Sequence, residues 1–377
     1  MKKILSILSI LPCIAMADLV PADGVISSDF VQSGNQTGEN AVIGKFLVNE
    51  GATLVVNGNL ETNITEIVTD KGKTYADFQN NGTINVSEGA SFYLNASTKS
   101  KGYSAGFTYI TGNIIVNGTY ISEIGNSSDY HIVAGTNKAT NFTLNSTGLV
   151  KTVGGVGVGI NNGYTSIILN ASVTKDETNN WKTGLITDAI TQRRNANGGK
   201  EITINADNAF CRNDGSASNI FLGNRGNLIL NSTNASGNTD LGVVTFEYSS
   251  TLQLNLSRTP DTMSISGFAY KVRNVDAENY ASTLIFENFA NDLIKIDNFD
   301  ETKLTDDGIY TFEVGANTIT ITITATNGDI SSANGEWYVA NGFLNNTAFG
   351  ANVPEPAEWA MILGSLALGL AIYKRRK

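Results

Sequence analysis

The chain has 377 residues, of which only 16% are charged, with 38 Gly, 45 Asn, 39 Thr, 5 Pro, 2 Cys and 1 His, and a formal net charge of −10. One His and two Cys exclude a His-rich metal site, a four-thiolate zinc site and a disulfide framework. Hydrophobic residues at 41% supply a large core, so a charged disordered chain is excluded as well.

The first element is a secretory signal peptide over 1–17. Lys2 and Lys3 give the positive start, a short apolar run follows to Met16, and Ala15 and Ala17 are the small residues around a cut after Ala17. The run is too short for a mature membrane span. A lipoprotein reading at Cys13 is opposed by Pro12, which stands where a small residue is needed. After the cut Cys211 is the one remaining cysteine, beside apolar Ala209 and Phe210. A buried small hydrophobe is favoured there over a reactive thiol.

From residue 18 a short pattern recurs: alternating apolar residues, then Asn, then a small or polar turn residue. It ends at Asn57, Asn95, Asn117, Asn145, Asn170, Asn205, Asn231 and Asn255, with spacings of 38, 22, 28, 25, 35, 26 and 24. Spacings of this size fit one rung of a solenoid. The expected fold is all-β, a parallel β-helix over 18–260 of roughly nine rungs stacked about 4.8 Å apart. The repeats resemble those of parallel β-helix, autotransporter-like proteins. Strand alternation puts Leu54 and Val56 on one side and Val55 on the other, and likewise groups Phe92 with Leu94 and Leu228 with Leu230. Asn tolerates the turn that follows each strand, and stacked Asn side chains hydrogen-bond along an axis. The eight Asn residues are therefore expected in one column. The competing fold is a β-sandwich whose strands happen to end in Asn.

Little in this region points to chemistry. Asn238, Thr239 and Asp240 resemble one short motif of pectin hydrolases, and Asp306 with Asp307 resembles a second. Their Gly-His-Gly and Arg-Ile-Lys motifs are absent, since His131 sits between Tyr130 and Ile132. Glycines at 154, 155, 157 and 159 fit neither a dinucleotide fingerprint, because position 160 is Ile, nor a calcium-binding repeat, because position 159 is not Asp. Asp214 with Gly215 and Asp307 with Gly308 read as ordinary turns. Tyr93 is an outward aromatic that either stacks on sugars or stands alone. No catalytic residue, metal or cofactor is expected.

Pro260 marks a change of packing, because a stacked ladder needs every backbone N–H. Residues 261–352 are read as a C-terminal β cap or small β domain. Its segment 318–324 alternates Thr and Ile strictly and is half buried.

The tail has three parts. Pro354, Glu355 and Pro356 form a stiff extended segment. An apolar helix follows over 357–373, a marginal membrane span, and then the basic stop Lys374, Arg375, Arg376 and Lys377. This order at the extreme C-terminus resembles the PEP-CTERM sorting signal, over 353–377 only. The resemblance implies an exosortase-type sorting protease as partner and a Gram-negative-type host that makes exopolysaccharide. The alternative is a plain C-terminal membrane anchor.

Without the signal peptide and tail, residues 18–353 hold 19 basic and 33 acidic residues, net −14. Nucleic acid is disfavoured as a partner, and the Arg193, Arg194 pair is too isolated to change that. The resulting expectation is an exported cell-surface or extracellular-matrix structural protein, not an enzyme, transiently anchored in the inner membrane. A glycan-binding adhesin and a polysaccharide lyase or hydrolase are the other classes in play.

Overall fold

A computed structural model describes residues 18–350, apart from 66, 71–72, 77, 97–108, 111, 124–129, 135–139, 153–154, 159–164, 193–199, 224, 248, 260, 272–280 and 315–316. The fold is all-β, built on two 13-stranded sheets and an 8-stranded sheet. The chain visits the three sheets in turn. Its first circuit runs through Val25–Ile26, Phe30–Gln32 and Val42–Ile43, and its second through Phe46–Val48, Thr53–Val56 and Asn59–Ile64. Each strand of the first circuit pairs parallel with its counterpart in the second. Each of these circuits therefore adds one strand to each sheet, the arrangement of a β-solenoid.

Local sequence explains why these segments face as they do. Leu54 and Val56 are buried and Val55 is half-exposed between them. Phe92 with Leu94 and Leu228 with Leu230 are buried in the same way. In 318–324 the Ile residues point inward and Thr320, Thr322 and Thr324 point out. Inward positions stack along the axis into one continuous core. Phe46 lies 5.5 Å from both Phe78 and Phe92, and Phe92 lies 5.5 Å from Tyr120. Such ring pairs add about 0.5–1.5 kcal/mol each beyond the area they bury.

Corners are the tight points. A Cβ on Gly82 would meet the carbonyl oxygen of Ala52 at 2.2 Å, and one on Gly112 would meet that of Gly82 at 2.0 Å. Glycine is required there because successive corners abut. Buried amides serve the corner backbone as well: Asn80 Nδ2 donates to Asn113 O at 3.0 Å, and Gln36 Oε1 accepts from Val20 N at 2.8 Å. This satisfies polar groups that would otherwise be buried unpaired.

The third sheet stops at Phe210–Cys211, which pairs parallel with Trp181–Ile186. The other two sheets continue past the expected division at Pro260. Met263–Tyr270 pairs parallel with Leu241–Phe246, Ala281–Glu287 with Thr251–Asn255, and Asn317–Asn327 with Ala281–Glu287. Parallel stacking thus extends well into 261–352, and the closing part is smaller than that range. Ile309–Val314 folds antiparallel onto Asn317–Asn327, and Phe343–Asn346 folds antiparallel onto Ile294–Asn298 and onto Trp337–Ala340. Phe289 packs against Trp337 at 5.4 Å and Phe349 at 5.1 Å, plugging the last coil.

Among the described residues, no helix is long and apolar enough to cross a membrane. The expected membrane helix 357–373, like the signal peptide 1–17, lies outside the described residues.

Substituting Phe92→Ala empties the centre of the aromatic stack. The expected loss is about 3–5 kcal/mol, read as a lower urea midpoint by circular dichroism.

Candidate functional site

Val56, Val86, Val116, Leu144, Leu169 and Ile204 are successive register partners on the second sheet. The residues that follow them are Asn57, Ser87, Asn117, Asn145, Asn170 and Asn205. Their backbone N–H groups continue the ladder, each donating one coil back; Asn145 N reaches Val116 O at 2.9 Å and Asn170 N reaches Leu144 O at 2.8 Å. The side chains form a second ladder beside it. Asn145 Nδ2 donates to Asn117 Oδ1 at 2.7 Å, Asn170 to Asn145 at 3.3 Å and Asn205 to Asn170 at 2.7 Å. Asn85 accepts from Asn117 at one end, and Asn234 donates to Asn205 at the other.

The structure does not bring all eight predicted Asn residues into this column. Asn95 lies on the third sheet in Ser91–Ala96, beside Asn63. The missing coil is Thr83–Val86, where Ser87 takes the Asn position and its hydroxyl donates to Asn57. Asn231 and Asn255 are register partners of each other, but Leu230 faces Ile202 rather than Ile204. They therefore fall two residues early; Asn231 donates to Glu201 at 2.7 Å, and Asn255 accepts from Gln253 at 2.8 Å.

Other singled-out residues are placed as follows. The tail residues Pro354, Glu355, Pro356, Lys374, Arg375, Arg376 and Lys377 lie outside the described residues, as do Arg193 and Arg194. His131 lies on Tyr130–Ala134, and Gly155 and Gly157 lie on Gly155–Val158, both strands of the first sheet. The Tyr93 hydroxyl donates to Glu123 Oε2 at 2.5 Å, and burial first, then Glu123, raises the phenol above its usual range. Tyr93 thus reaches along the rod to the next coil. The two acidic motifs sit on different coils and are not brought together. Asn238 ties Ser257 N to Asp261 O, Thr239 accepts from Ala209 N, and Asp240 Oδ1 accepts from Ser264 N at 2.7 Å. Asp306 and Asp307 are in the turn before Ile309–Val314, where Asp306 O accepts from Trp337 N.

A groove lies at the step where the third sheet ends. Thr174–Lys175 folds back antiparallel onto Trp181–Ile186 as a strap. Asp176 closes its turn, with Oδ1 accepting from Thr178 N, Thr178 Oγ1 and Asn180 N; these bonds, Thr178 first, hold its carboxyl below the usual value. Lys175 Nζ sits 4.3 Å from the centre of the Trp181 ring, and Trp181 Nε1 donates to Asn213 O at 3.3 Å. The facing wall is Asp240 with Ser264 and Ser266, outward residues of Met263–Tyr270. Between the walls is a groove of about 340 Å³, also lined by Asn208 and Cys211. Cys211 is half-buried, and its thiol donates to Arg212 O at 3.2 Å. Burial pushes it up to about 11, so it stays protonated near neutral pH and is a poor nucleophile.

Trp181 was not singled out by the repeat pattern, yet the signal was there. The long spacing of 35 between Asn170 and Asn205 holds the strap. Among the described residues, no group of three or more His, Cys, Asp and Glu is placed to hold a metal ion. No protein-family model, no curated protein and no solved structure matches this chain.

Asn145→Ala removes two rungs of the side-chain ladder while keeping the backbone ladder. A loss of about 1–2 kcal/mol is expected from two neutral hydrogen bonds, measured by urea unfolding. Asn57→Ala, at an exposed end with one such bond, is expected to cost less than half as much.

Proposed function

We propose that this chain is an exported structural protein of the cell surface or extracellular matrix, associated with exopolysaccharide. In this reading the passenger is a solenoid rod, and the tail is a PEP-CTERM signal. Helix 357–373 anchors the chain in the inner membrane until an exosortase-type protease acts near Pro354, Glu355 and Pro356. Lys374, Arg375, Arg376 and Lys377 remain on the cytoplasmic side.

The observation that carries this reading is how the polar side chains are used. The Asn column, the corner amides and the 238–240 triplet are all engaged in joining one coil to the next. A rod built this way presents a long surface and keeps its shape without a ligand. Burial of the inward face of every coil stabilises each rung only when its neighbours are present, which suits a protein whose product is its form. The acidic passenger, net −14, opposes binding to nucleic acid or to polyanions by charge. The role proposed is non-catalytic, with no metal or cofactor.

The test is mass spectrometry of the protein recovered from the surface of cells that carry the sorting protease. The expected C-terminal peptide ends near Pro354–356, without the basic stop. Recovery of an intact Lys377 terminus from the surface fraction contradicts sorting and leaves a plain anchor.

A further inference from the structure

We propose that the groove beside Trp181 is a binding site for a neutral saccharide. This deepens the matrix reading by naming a site and a ligand class on the rod. Three observations point the same way.

The first is where the groove lies. The regular three-sheet plan is broken in two ways at one place. The third sheet ends at Phe210–Cys211, and the strap carrying Trp181 is inserted into the coil before. Both the strap and the neighbouring 212–216 turn are held by their own hydrogen bonds: Asp176 closes the first, and Asp214 closes the second by accepting from Ser216 N and Oγ. The groove is therefore pre-formed, and little ordering cost falls on a ligand. Its volume of about 340 Å³ lies at the small end of ligand sites, about 300–1,000 Å³.

The second is the chemistry of the walls. Trp181 supplies a flat apolar surface of the kind that packs against the C–H face of a sugar ring. Lys175 covers one face of the indole and Asn213 fixes its N–H, so the ring is held in place with at most one face left for a ligand. Across the groove, Asp240 uses Oδ1 for Ser264 N and retains acceptor capacity for sugar hydroxyls. The hydroxyls of Ser264 and Ser266 and the amide of Asn208 add groups that both donate and accept. An aromatic wall facing a carboxylate and hydroxyls matches the two-sided character of a sugar.

The third is charge. The Lys175 ammonium over Trp181 and the Asp240 carboxylate across the groove are of opposite sign, so neither charge dominates the walls, and the passenger of net −14 opposes polyanions at longer range. Arg212, on the turn beside the groove, stands 3.8 Å from the Asp188 carboxylate, a second pair of opposite sign. The ligand selected is uncharged.

The purified full-length chain is titrated with maltohexaose, isomaltohexaose, cellohexaose and hexagalacturonate. Binding is followed by calorimetry and tryptophan fluorescence. At least one neutral oligosaccharide is expected to bind and to perturb the fluorescence, and hexagalacturonate is expected to bind more weakly. Trp181→Ala and Asp240→Asn are each expected to weaken binding about tenfold or more. Asp240→Asn keeps an acceptor for Ser264 N, so it tests the carboxylate with the fold intact. Thr324→Ala, on the outer second sheet, is expected to change nothing. No binding of any neutral hexaose at about 10 mM, well above the millimolar range of weak ligands, overturns the proposal. Binding unchanged in both groove variants overturns it too. Recovery of the variants with extracellular polysaccharide separates this from the matrix reading. If Asp240→Asn protein stays with the matrix but binds no sugar differently, the groove falls and the matrix role stands. If wild-type protein binds a hexaose but is absent from the matrix fraction, the reverse holds.

Discussion

In-register parallel pairing of backbone between successive coils is the constraint on which everything else rests. Alternate N–H groups of a strand donate to the coil before and the coil after, as Asn145 N does to Val116 O and Leu185 N to Ala209 O, in sheets up to 13 strands long. A parallel stack admits no missing donor, which is why residues 18–353 contain only Pro21 and Pro260. It admits no bulk where corners abut, hence Gly82 above Ala52 and Gly112 above Gly82. It also aligns identical positions along the axis. A polar residue repeated at one position then becomes a ladder, and an aromatic residue becomes a stack. The Asn117, Asn145, Asn170 and Asn205 column and the register-paired rings, Phe46 with Phe78 and Phe92 with Tyr120, are two outcomes of the same geometry.

Such a rod has a problem at its ends, because an open coil offers unpaired strand edges. At the C-terminal end the direction of pairing is reversed. Antiparallel strands cover the last parallel ones, and the aromatic group around Phe289 fills the space that another coil would occupy. Between the ends, the loss of the third sheet at Phe210–Cys211 leaves a step, and the groove beside Trp181 lies on it.

Much of the fold was legible in the residues. Alternation identified the inward positions at Leu54, Phe92, Leu228 and the Ile residues of 318–324, because period two is local. Register was less legible, because it depends on which coil a strand meets. One coil ends in Ser87 rather than Asn, so the motif skipped it and counted Asn95, which belongs to the third sheet of that same coil. True spacings of 30 and 30 from position 57 to 117 were read as 38 and 22. Asn231 and Asn255 carry the same local letters, but their strands are paired two residues out of step. Pro260 suggested a boundary that long-range pairing passes over. The groove was hardest to see, since Trp181, Asp240 and Ser264 come from three different coils and no local pattern joins them.

The account stands or falls on coil register, and a designed disulfide reads it directly. Val55 and Asn85 are register partners on the outer side of adjacent second-sheet strands, within the separation of about 4.4–6.8 Å that a disulfide needs between Cα atoms. Ile84, one residue earlier, points into the core. Mild oxidation of the Val55→Cys, Asn85→Cys chain, mapped by peptide mass spectrometry, is predicted to give the 55–85 bridge in high yield. The Val55→Cys, Ile84→Cys chain is predicted to give none. Equal yields from the two chains, or no 55–85 bridge, would contradict the stacked-coil account at its foundation.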